Sequence, residues 1–145
     1  MTRGVTEADF AGVTLENAKT PGEKIYAKYG ITGVRGQAEA GFPAVLHTGL
    51  PVLEEGVKAG FSLERAGCGA LLAMLTACVD TNLIARSDRD TAKAITRQVA
   101  LLLAKNRDPE QRALEELDAL FVEKNLSPGG TADLLAAAYF LYFLK

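Results

Sequence analysis

Residues 35–43 form the first of three short stretches in which polar residues and glycines interrupt an otherwise apolar sequence. The stretch reads RGQAEAGFP, and its glycines, Gly36 among them, leave room for a ligand to contact backbone N–H groups. Arg35 offers a planar set of donors that suits phosphate or carboxylate, and the carboxylate of Glu39 lies in the same stretch. A glycine-rich connector with a surface ion pair would have the same composition, so the pattern leaves both interpretations open.

Residues 80–86, DTNLIAR, make the second stretch, which follows a long apolar segment. A carboxylate at that position is costly to bury unless it is paired or binds a metal. Asp80 and Asn82 carry the kind of oxygen ligand that a hydrated Mg²⁺ accepts alongside the phosphates of a substrate. The alternative is structural: Asp80 caps the N-terminus of the helix that follows and pairs with Arg86.

Residues 125–135, NLSPGGTADLL, lie immediately before the apolar end of the chain. The N–H groups and the dipole at a helix N-terminus favour an anion, so the backbone of Gly129 and Gly130 is a candidate phosphate contact. Asp133 belongs to the first helical turn, where a carboxylate is favourable by itself. A tight turn at Pro128 is the alternative explanation, and the stretch is neither a GxxxxGKS/T loop nor a GxGxxG loop.

Few other side chains are suited to catalysis. His47 is the sole histidine, and an isolated histidine on a short helix is more often structural than catalytic. Cys68 and Cys78 form neither a CxxC nor a CxxxC pair, and we expect buried free thiols of a reducing compartment. A zinc cluster or a Ser-His-Asp arrangement cannot be assembled from this set. Any bound metal must therefore use oxygen ligands.

The elements that must position these stretches are predicted to be helices throughout. No segment alternates in the manner of a strand, so the sequence indicates an all-α fold, a single bundle-like domain of about six to seven helices. Two of them, residues 63–79 and 131–143, are apolar on every face and are expected to be central. Residues 20–145 form the helical domain, whereas residues 1–19 are weakly patterned and are expected to be partly loose, with one helical turn near 14–18.

Capping residues and helix breakers predict where the other helices begin. The predicted starts are a capping box at Thr20, then Pro43, Ser62, either Ser87 or Asp90, and a second capping box at residues 108–111. The helix that Pro43 opens must break or kink near Pro51, because proline lacks the N–H that the helix needs. Residues 31–42 hold three glycines and are predicted to be a connector.

Composition and charge argue against several classes of partner. Hydrophobic residues make up 48% of the chain and charged residues 23%, which argues against disorder. The net charge is −2 with acids and bases interspersed, so the basic stripe of a nucleic-acid-binding protein is missing. The first residues contain no apolar signal region, and the longest apolar run, residues 134–144, is shorter than the roughly 20 residues of a membrane span. We therefore expect a soluble cytoplasmic protein.

Together the three stretches resemble motifs of the triphosphoribosyl-dephospho-CoA synthase family. The matching segments are GVRGQAEAGFP at 33–43, GLPVL at 49–53, DTNLIAR at 80–86 and NLSPGGTADLL at 125–135, and the resemblance extends from about residue 21 to the end of the chain. Members of this all-α family make the prosthetic-group precursor for the acyl carrier subunits of citrate lyase and malonate decarboxylase. The resemblance thus agrees with the fold class inferred from the helices.

The resemblance implies a glycosyl-type transferase whose substrates are ATP and 3′-dephospho-CoA. In the implied reaction the ribose 2′-hydroxyl of dephospho-CoA attacks C1′ of the ATP ribose, adenine leaves, and the triphosphate stays on the transferred sugar. By analogy with sugar hydrolysis, the transition state resembles an oxocarbenium ion. The site must then supply cations for the triphosphate, a carboxylate near the sugar and a base for the hydroxyl.

The resemblance also places these roles on positions of the chain. Asp80 and Asp133 are the candidates for the Mg²⁺ ligand or the catalytic base, and Glu39 is a further catalytic or orienting carboxylate. The positions implied in substrate binding are Arg35, Gly36, Asn82, Arg86, Ser127, Gly129, Gly130 and Thr131.

The chain departs from the family pattern in two motifs and in length. Gln37 stands where the family usually has Glu, and Ser87-Asp88 stands where a glycine pair is usual. Family members are about twice as long, and the resemblance covers their C-terminal half. The alternative to an enzyme is therefore a non-catalytic nucleotide- or CoA-binding module, or a half-subunit that needs a partner chain. A half-enzyme should expose apolar surface, so we expect a homo-oligomer or association with an N-terminal-half chain.

Overall fold

The computed structural model describes residues 4–145, and every regular element in this part of the chain is helical, which confirms the all-α prediction. The elements are α1 (Val5–Phe10), α2 (Pro21–Tyr29), α3 (Gly33–Glu39), a π-helical turn (Val45–Gly49), α4 (Leu50–Lys58), α5 (Leu63–Ala77), α6 (Thr81–Arg86), α7 (Arg89–Lys105), α8 (Gln111–Glu123) and α9 (Gly129–Phe143). The count exceeds the six or seven expected because α1, α3 and α6 are additional short helices of six or seven residues. The prediction that residues 31–42 are a connector is wrong, since α3 forms within them. No helix within residues 4–145 combines the length and the apolar character needed to cross a membrane.

Helix α5 is the centre of the molecule, as its apolar sequence predicted. It contributes residues to each of the three groups of buried side chains that make the core. It begins after Ser62, whose hydroxyl accepts a hydrogen bond of 3.2 Å from the N–H of Arg65. The helix ends at Ala77, two residues before the predicted end, where Cys78 turns to an extended conformation.

Helix α9 packs on α5 with only one of its faces. Leu134 and Ala138 are buried against Met74 of α5 and the start of the π-helical turn. On the outer face, Phe140 and Phe143 are 62% and 66% exposed. An apolar helix was expected to be buried all round, so this outer face is apolar surface that the described residues leave uncovered.

Two predicted helix starts are wrong. Helix α7 is capped by Asp88 rather than by Ser87 or Asp90: the Asp88 carboxylate accepts from the N–H groups of Asp90 and Thr91, at 2.8 and 2.9 Å. The capping box at residues 108–111 does not form, because Asp108 pairs instead with Arg65 of α5, Nη2 to Oδ1 2.7 Å. Helix α8 therefore begins without a side-chain cap.

The N-terminal segment contains a helix that the sequence did not predict. Glu39, at the end of α3, accepts hydrogen bonds of 3.0 Å from the N–H groups of Gly4 and Thr6 and so holds the start of α1. Phe10, at the end of α1, is buried and stacks on Tyr26 of α2 with ring centroids 4.2 Å apart. These contacts attach α1 to both α2 and α3. The predicted turn near 14–18 is present, with Ala18 N–H donating to the carbonyl of Thr14.

The start of α2 and the break near Pro51 are as predicted. Thr20 and Glu23 form the capping box reciprocally, and hydrogen bonds from the backbone N–H groups of Thr20 and Lys19 lower the pKa of Glu23. The helix opened by Pro43 widens into the π-helical turn, in which Leu50 N–H donates to the carbonyl of Val45. Pro51 directly follows this turn as the second residue of α4, and the local widening of the helix is the break that a proline in a continuing helix requires.

Candidate active site

A cleft of 340 Å³ brings together one residue or more from each of the three polar stretches. Arg35 comes from the first stretch, Asn82 from the second, and Gly130 and Asp133 from the third. The full lining is Phe10, Thr20, Pro21, Gly22, Ile31, Thr32, Val34, Arg35, Thr81, Asn82, Gly130 and Asp133. Stretches nearly one hundred residues apart in sequence therefore share one small site.

Asp80 joins two helices at the edge of this cleft. Its Oδ1 accepts from Leu83 N–H at 3.0 Å and so caps α6. Its Oδ2 accepts from both the N–H and the hydroxyl of Thr131, each at 2.7 Å, in the first turn of α9. Asp80 is 5% exposed, and its buried charge is compensated by these donors and by the positive ends of two helix dipoles.

The structural interpretation of Asp80 is thus confirmed in one of its two parts. Asp80 is the N-cap of the following helix, but Arg86 is not its partner: the guanidinium of Arg86 donates to Oδ1 of Asn125 at 3.2 Å. Thr131, predicted as a ligand contact, is 1% exposed and fully engaged with Asp80. Asp80 and Thr131 form a buried junction beneath the cleft rather than part of its lining.

Gly129 and Gly130 allow α9 to begin in close contact with α6 and α3. A Cβ at position 129 would lie 2.5 Å from Nδ2 of Asn82, closer than real side-chain atoms approach. A Cβ at position 130 would lie 3.3 Å from Val34 and 3.4 Å from the Asp80 carboxylate. Close packing therefore accounts for both glycines, and Gly130 also presents its backbone to the cleft.

The cleft lies at the N-termini of three helices. Thr20, Pro21 and Gly22 start α2, Thr81 and Asn82 start α6, and Gly130 lies in the first turn of α9. The first N–H groups of a helix have no acceptor within the helix and carry a partial positive charge. Part of this donor capacity is used by Asp80 and by the capping box of α2, and the remainder favours an anion in the cleft.

Arg35 adds a guanidinium group to this site, and one edge of the group is paired with an aspartate. Its Nε pairs with Oδ2 of Asp9 at 2.7 Å, and its guanidinium carbon lies 5.1 Å from the centre of the Phe10 ring. Its Nη1 lies beside the start of α2, 3.6 Å from where a Cβ on Gly22 would be. Helix α1 thus fixes the Nε edge of the guanidinium, and Nη1 lies at the start of α2, whose first residues also line the cleft.

Besides Asp80, Thr131 and Gly129, four further predicted site residues lie outside the lining of the cleft. Both carboxylate oxygens of Glu39 are used at the start of α1, and Gly36 packs closely against the Thr32 side chain. Arg86 contacts Asn125, as described above. Ser127 lines a separate groove between α5 and α8, which we call the α5–α8 groove. Local sequence could not exclude these positions because each belongs to the same stretch as a residue that does line the cleft.

The residues that the sequence analysis missed come mainly from α1 and α2. Phe10, Thr20 and Gly22 line the cleft, but residues 1–19 showed little pattern and Thr20 was interpreted only as a helix cap. A glycine directly after Thr-Pro at a helix start was the available signal, since it leaves the backbone of the first turn uncovered. Thr81 and Thr32 add hydroxyl groups to the same lining.

Titratable groups near the cleft do not supply a thiol or histidine catalyst. Burial, reinforced by the charge of Asp80, raises the pKa of Cys78, whose thiol donates to the carbonyl of Met74. Cys68 is exposed, contrary to expectation, whereas Cys78 is half-buried. His47 lies exposed in the π-helical turn and is not part of the lining. Among residues 4–145 no three His, Cys, Asp or Glu side chains are grouped as a metal site.

Comparison with known proteins identifies the family. Residues 1–145 match the ATP:dephospho-CoA triphosphoribosyl transferase family. A relative from Pectobacterium atrosepticum, named 2-(5′′-triphosphoribosyl)-3′-dephosphocoenzyme-A synthase, is 38% identical over 129 residues, which are 89% of this chain and 42% of the relative. A relative from Photobacterium profundum, named as a probable synthase of the same kind, is 41% identical over 87% of this chain and 41% of the relative. Another probable synthase, from Streptococcus equi, is 33% identical over 100% of this chain and 50% of the relative.

The coverage of these relatives is partial. The chain spans about half the length, or less, of the curated relatives it matches. No solved structure matches the chain. Because the family match extends over the whole sequence and includes the three stretches that build the cleft, the chain belongs to the ATP:dephospho-CoA triphosphoribosyl transferase family.

Proposed function

We propose that the cleft is the part of a synthase active site that transfers the triphosphoribosyl group of ATP to the 2′-hydroxyl of 3′-dephospho-CoA, with release of adenine. The observation that carries the proposal is the convergence of Arg35, Asn82, Gly130 and Asp133 on one cleft. Family membership supplies the reaction class. The cleft combines an arginine, helix N-termini and a carboxylate, which are the groups that a polyphosphate and a developing sugar cation require.

We assign roles within the cleft from the contacts of its lining residues. Arg35 and the start of α2 face the triphosphate, because they are the positive groups of the lining. Asp133 is exposed at the cleft and is the base for the attacking hydroxyl or the carboxylate beside the sugar cation. Asn82 orients the substrate through its amide. Asp80 and Glu39 were predicted in catalytic roles too, but their oxygens accept backbone N–H groups, so we assign them positioning roles.

The lining is compatible with Mg²⁺ held mainly by the substrate. Mg²⁺ is usually bound through one or two carboxylates, water and substrate phosphates, and Asp133 with the amide oxygen of Asn82 offers such a partial set. Asp80 fits the role of ligand less well, because its two oxygens already accept from three donors in a buried position. Bound Mg²⁺ would neutralise part of the triphosphate charge.

Adenine release tests the proposal. The chain is incubated with ATP, Mg²⁺ and dephospho-CoA, and free adenine is quantified by chromatography. We expect Asp133→Asn to lower the rate by about 10²-fold or more, the usual contribution of a catalytic acid or base. Asp90→Asn is the matched control, since Asp90 is also an exposed aspartate in a first helical turn. If both variants release adenine at the rate of the native chain, Asp133 has no role in catalysis.

A second function is a nucleotide- or CoA-binding module without turnover of its own. Two observations favour it. The chain covers about half of the length of its relatives. Gln37 is an amide at a position where the family usually has a carboxylate, and its Oε1 accepts from Ala44 N–H at 3.0 Å. Saturable ATP binding without adenine release would support this alternative. Release restored by adding the remaining half of the synthase would instead support a half-subunit that acts with a partner chain or within an oligomer.

The proposal includes a cytoplasmic location. The two cysteines are free, and unpaired thiols are typical of a reducing compartment. Both substrates of the proposed reaction, ATP and dephospho-CoA, are nucleotides of the cell interior. Labelling of the chain in fractionated cells tests this part, and recovery of the chain outside the cytoplasmic fraction would contradict it.

A further inference from the structure

The α5–α8 groove is larger than the cleft and serves no role in the reaction proposed above. It encloses 1020 Å³. Its apolar lining consists largely of leucine and phenylalanine side chains of the two helices, Leu71, Leu72, Leu75, Leu114, Leu117 and Phe121. Its acidic lining residues are Glu64, Glu115 and Asp118, whereas its one basic residue, Arg65, is paired with Asp108. The groove is therefore apolar with a net acidic border.

Helix α8 is incompletely packed in the described part of the chain. It has 13 residues and none of them is buried, although its inner face packs partly against the core. Val122 lines the groove and is 73% exposed. A helix of this length is marginal in water by itself, and helices in proteins owe most of their stability to packing of an apolar face. Helix α8 therefore lacks part of the cover that such a face normally has.

The volume of the groove is comparable to that of a short helix. Ten residues of α-helix are about 15 Å long and about 10 Å wide, a cylinder of roughly 1,200 Å³. This volume is close to the 1020 Å³ of the groove. A helix lying between α5 and α8 would cover the half-buried Leu71 of α5 and would complete the packing of Leu114, Leu117 and Phe121 of α8. Its polar edges should be basic, to match Glu64, Glu115 and Asp118.

The length of the relatives indicates where such a helix comes from. The matched relatives have as much sequence again, or more, outside the region that this chain covers. We infer that the α5–α8 groove is the docking surface for an amphipathic helix with a basic border, supplied by the half of the synthase that the chain does not cover. The inference concerns assembly and holds or fails independently of the reaction proposed for the cleft.

Co-purification tests the docking surface. The affinity-tagged chain is co-expressed with the part of the Photobacterium profundum relative that lies outside its match to this chain, and the retained amount is measured. We expect Val122→Lys to reduce retention about tenfold, as for a charge placed in an apolar interface. Leu101→Lys is the control: Leu101 is 58% exposed on α7 and does not line the groove. Both substitutions are on exposed side chains, and thermal melts check that both variants fold.

A chemical footprint gives a second readout. Cys68 is exposed and lines the groove, so docking should slow its alkylation by iodoacetamide, and Asp118→Lys should weaken docking through the acidic border. Equal retention by the native chain and by Val122→Lys would overturn the inference. So would a partner retained by none of the chains, alkylation of Cys68 unchanged in the complex, or a groove found occupied by a second copy of this chain.

Discussion

At the scale of single residues, Asp80 illustrates how a carboxylate whose sequence suggests catalysis can have a structural role. The motif suggested a metal ligand or a base, but the carboxylate accepts from Leu83 of α6 and from Thr131 of α9. Two helix N-termini that would repel each other share one negative charge. The residues on either side, Thr81 and Asn82 in α6 and Gly130 and Asp133 in α9, are thereby held at the cleft.

Removing this shared cap should destabilise the protein strongly. We expect Asp80→Ala to lower the free energy of unfolding by about 3 kcal/mol, because buried donors of both helices lose a charged acceptor. Denaturant unfolding followed by circular dichroism measures the change. Asp133→Ala is the comparison, since Asp133 is exposed, and should cost less than about 1 kcal/mol. Equal losses in the two variants would mean that Asp80 is not a structural junction.

At the scale of elements, the helices are held by caps and by close approaches that local sequence only partly reveals. The caps of α2 and α5 were predicted, whereas that of α7 was assigned to the wrong residue and that of α8 does not form. Asp108 illustrates the reason: residues 108–111 have the composition of a capping box, but Arg65 of α5 pairs with the Asp108 carboxylate and no side chain caps α8.

The cap of α7 makes stability depend on pH in a predictable direction. Hydrogen bonds from the N–H and the hydroxyl of Thr91 lower the pKa of Asp88 below its ordinary value of 3.8. The stabilisation is therefore present above that ordinary value and is lost as the pH falls through the lowered pKa. Asp88→Asn should keep the cap at pH 7, since Asn caps as well as Asp. Below about pH 4 its free energy of unfolding should fall less steeply than that of the native chain.

Urea unfolding at a series of pH values between 7 and 2 measures this difference. Asp90→Asn is the control, since Asp90 is exposed in the first turn of α7, and the free energy of unfolding of this variant should keep the native pH dependence. If the free energy of unfolding of Asp88→Asn falls as steeply in acid as that of the native chain, the prediction is wrong. Other carboxylates such as Glu23, whose pKa is also lowered, would then account for the acid sensitivity.

The contact between α5 and α9 depends on a missing side chain at Gly67. Tyr139 of α9 places its hydroxyl over Gly67 and donates to the carbonyl of Leu63 at 3.0 Å. A Cβ on Gly67 would overlap the Tyr139 hydroxyl, so Gly67→Ala should destabilise the protein by about 1–3 kcal/mol through overpacking. Gly69→Ala, in the same helix, would meet only Val52 at an ordinary 3.7 Å and should be neutral or stabilising by about 0.5–1 kcal/mol.

Thermal and denaturant unfolding of the two glycine variants compares these effects. Adding Tyr139→Leu to Gly67→Ala should recover part of the lost stability, because the smaller side chain leaves room for the Cβ. Two alanine variants of equal stability would show that α9 can shift away from α5 at little cost.

At the scale of the whole molecule, the packing is uneven. Helix α5 has six buried residues, whereas α8, which is nearly as long, has none. The cleft is built at one set of helix N-termini, while the α5–α8 groove leaves apolar surface open beside α8. This distribution agrees with a chain that covers about half of its relatives.

Hydrogen exchange should report this unevenness. We expect backbone amides in the middle of α8 to exchange at least about tenfold faster than those in the middle of α5, because few buried contacts oppose local opening of α8. Mass-spectrometric exchange resolves the two helices as separate peptides. Equal protection of the two helices would mean that α8 is as firmly packed as the core.

The sequence by itself determined the fold class, the central position of α5 and the three stretches from which the cleft is built. These follow from residue type and periodicity, which act locally: apolar runs must be buried and capping residues begin helices. Only the tertiary structure decided which residues of each stretch meet. It turned the carboxylates of Asp80 and Glu39 towards helix N-termini, buried Thr131 against Asp80, directed Asp133, Asn82 and Arg35 into the cleft, and added Phe10 from a weakly patterned helix. The physical reason is that backbone donors on distant helices compete with a ligand for the same carboxylates, and no local pattern records that competition.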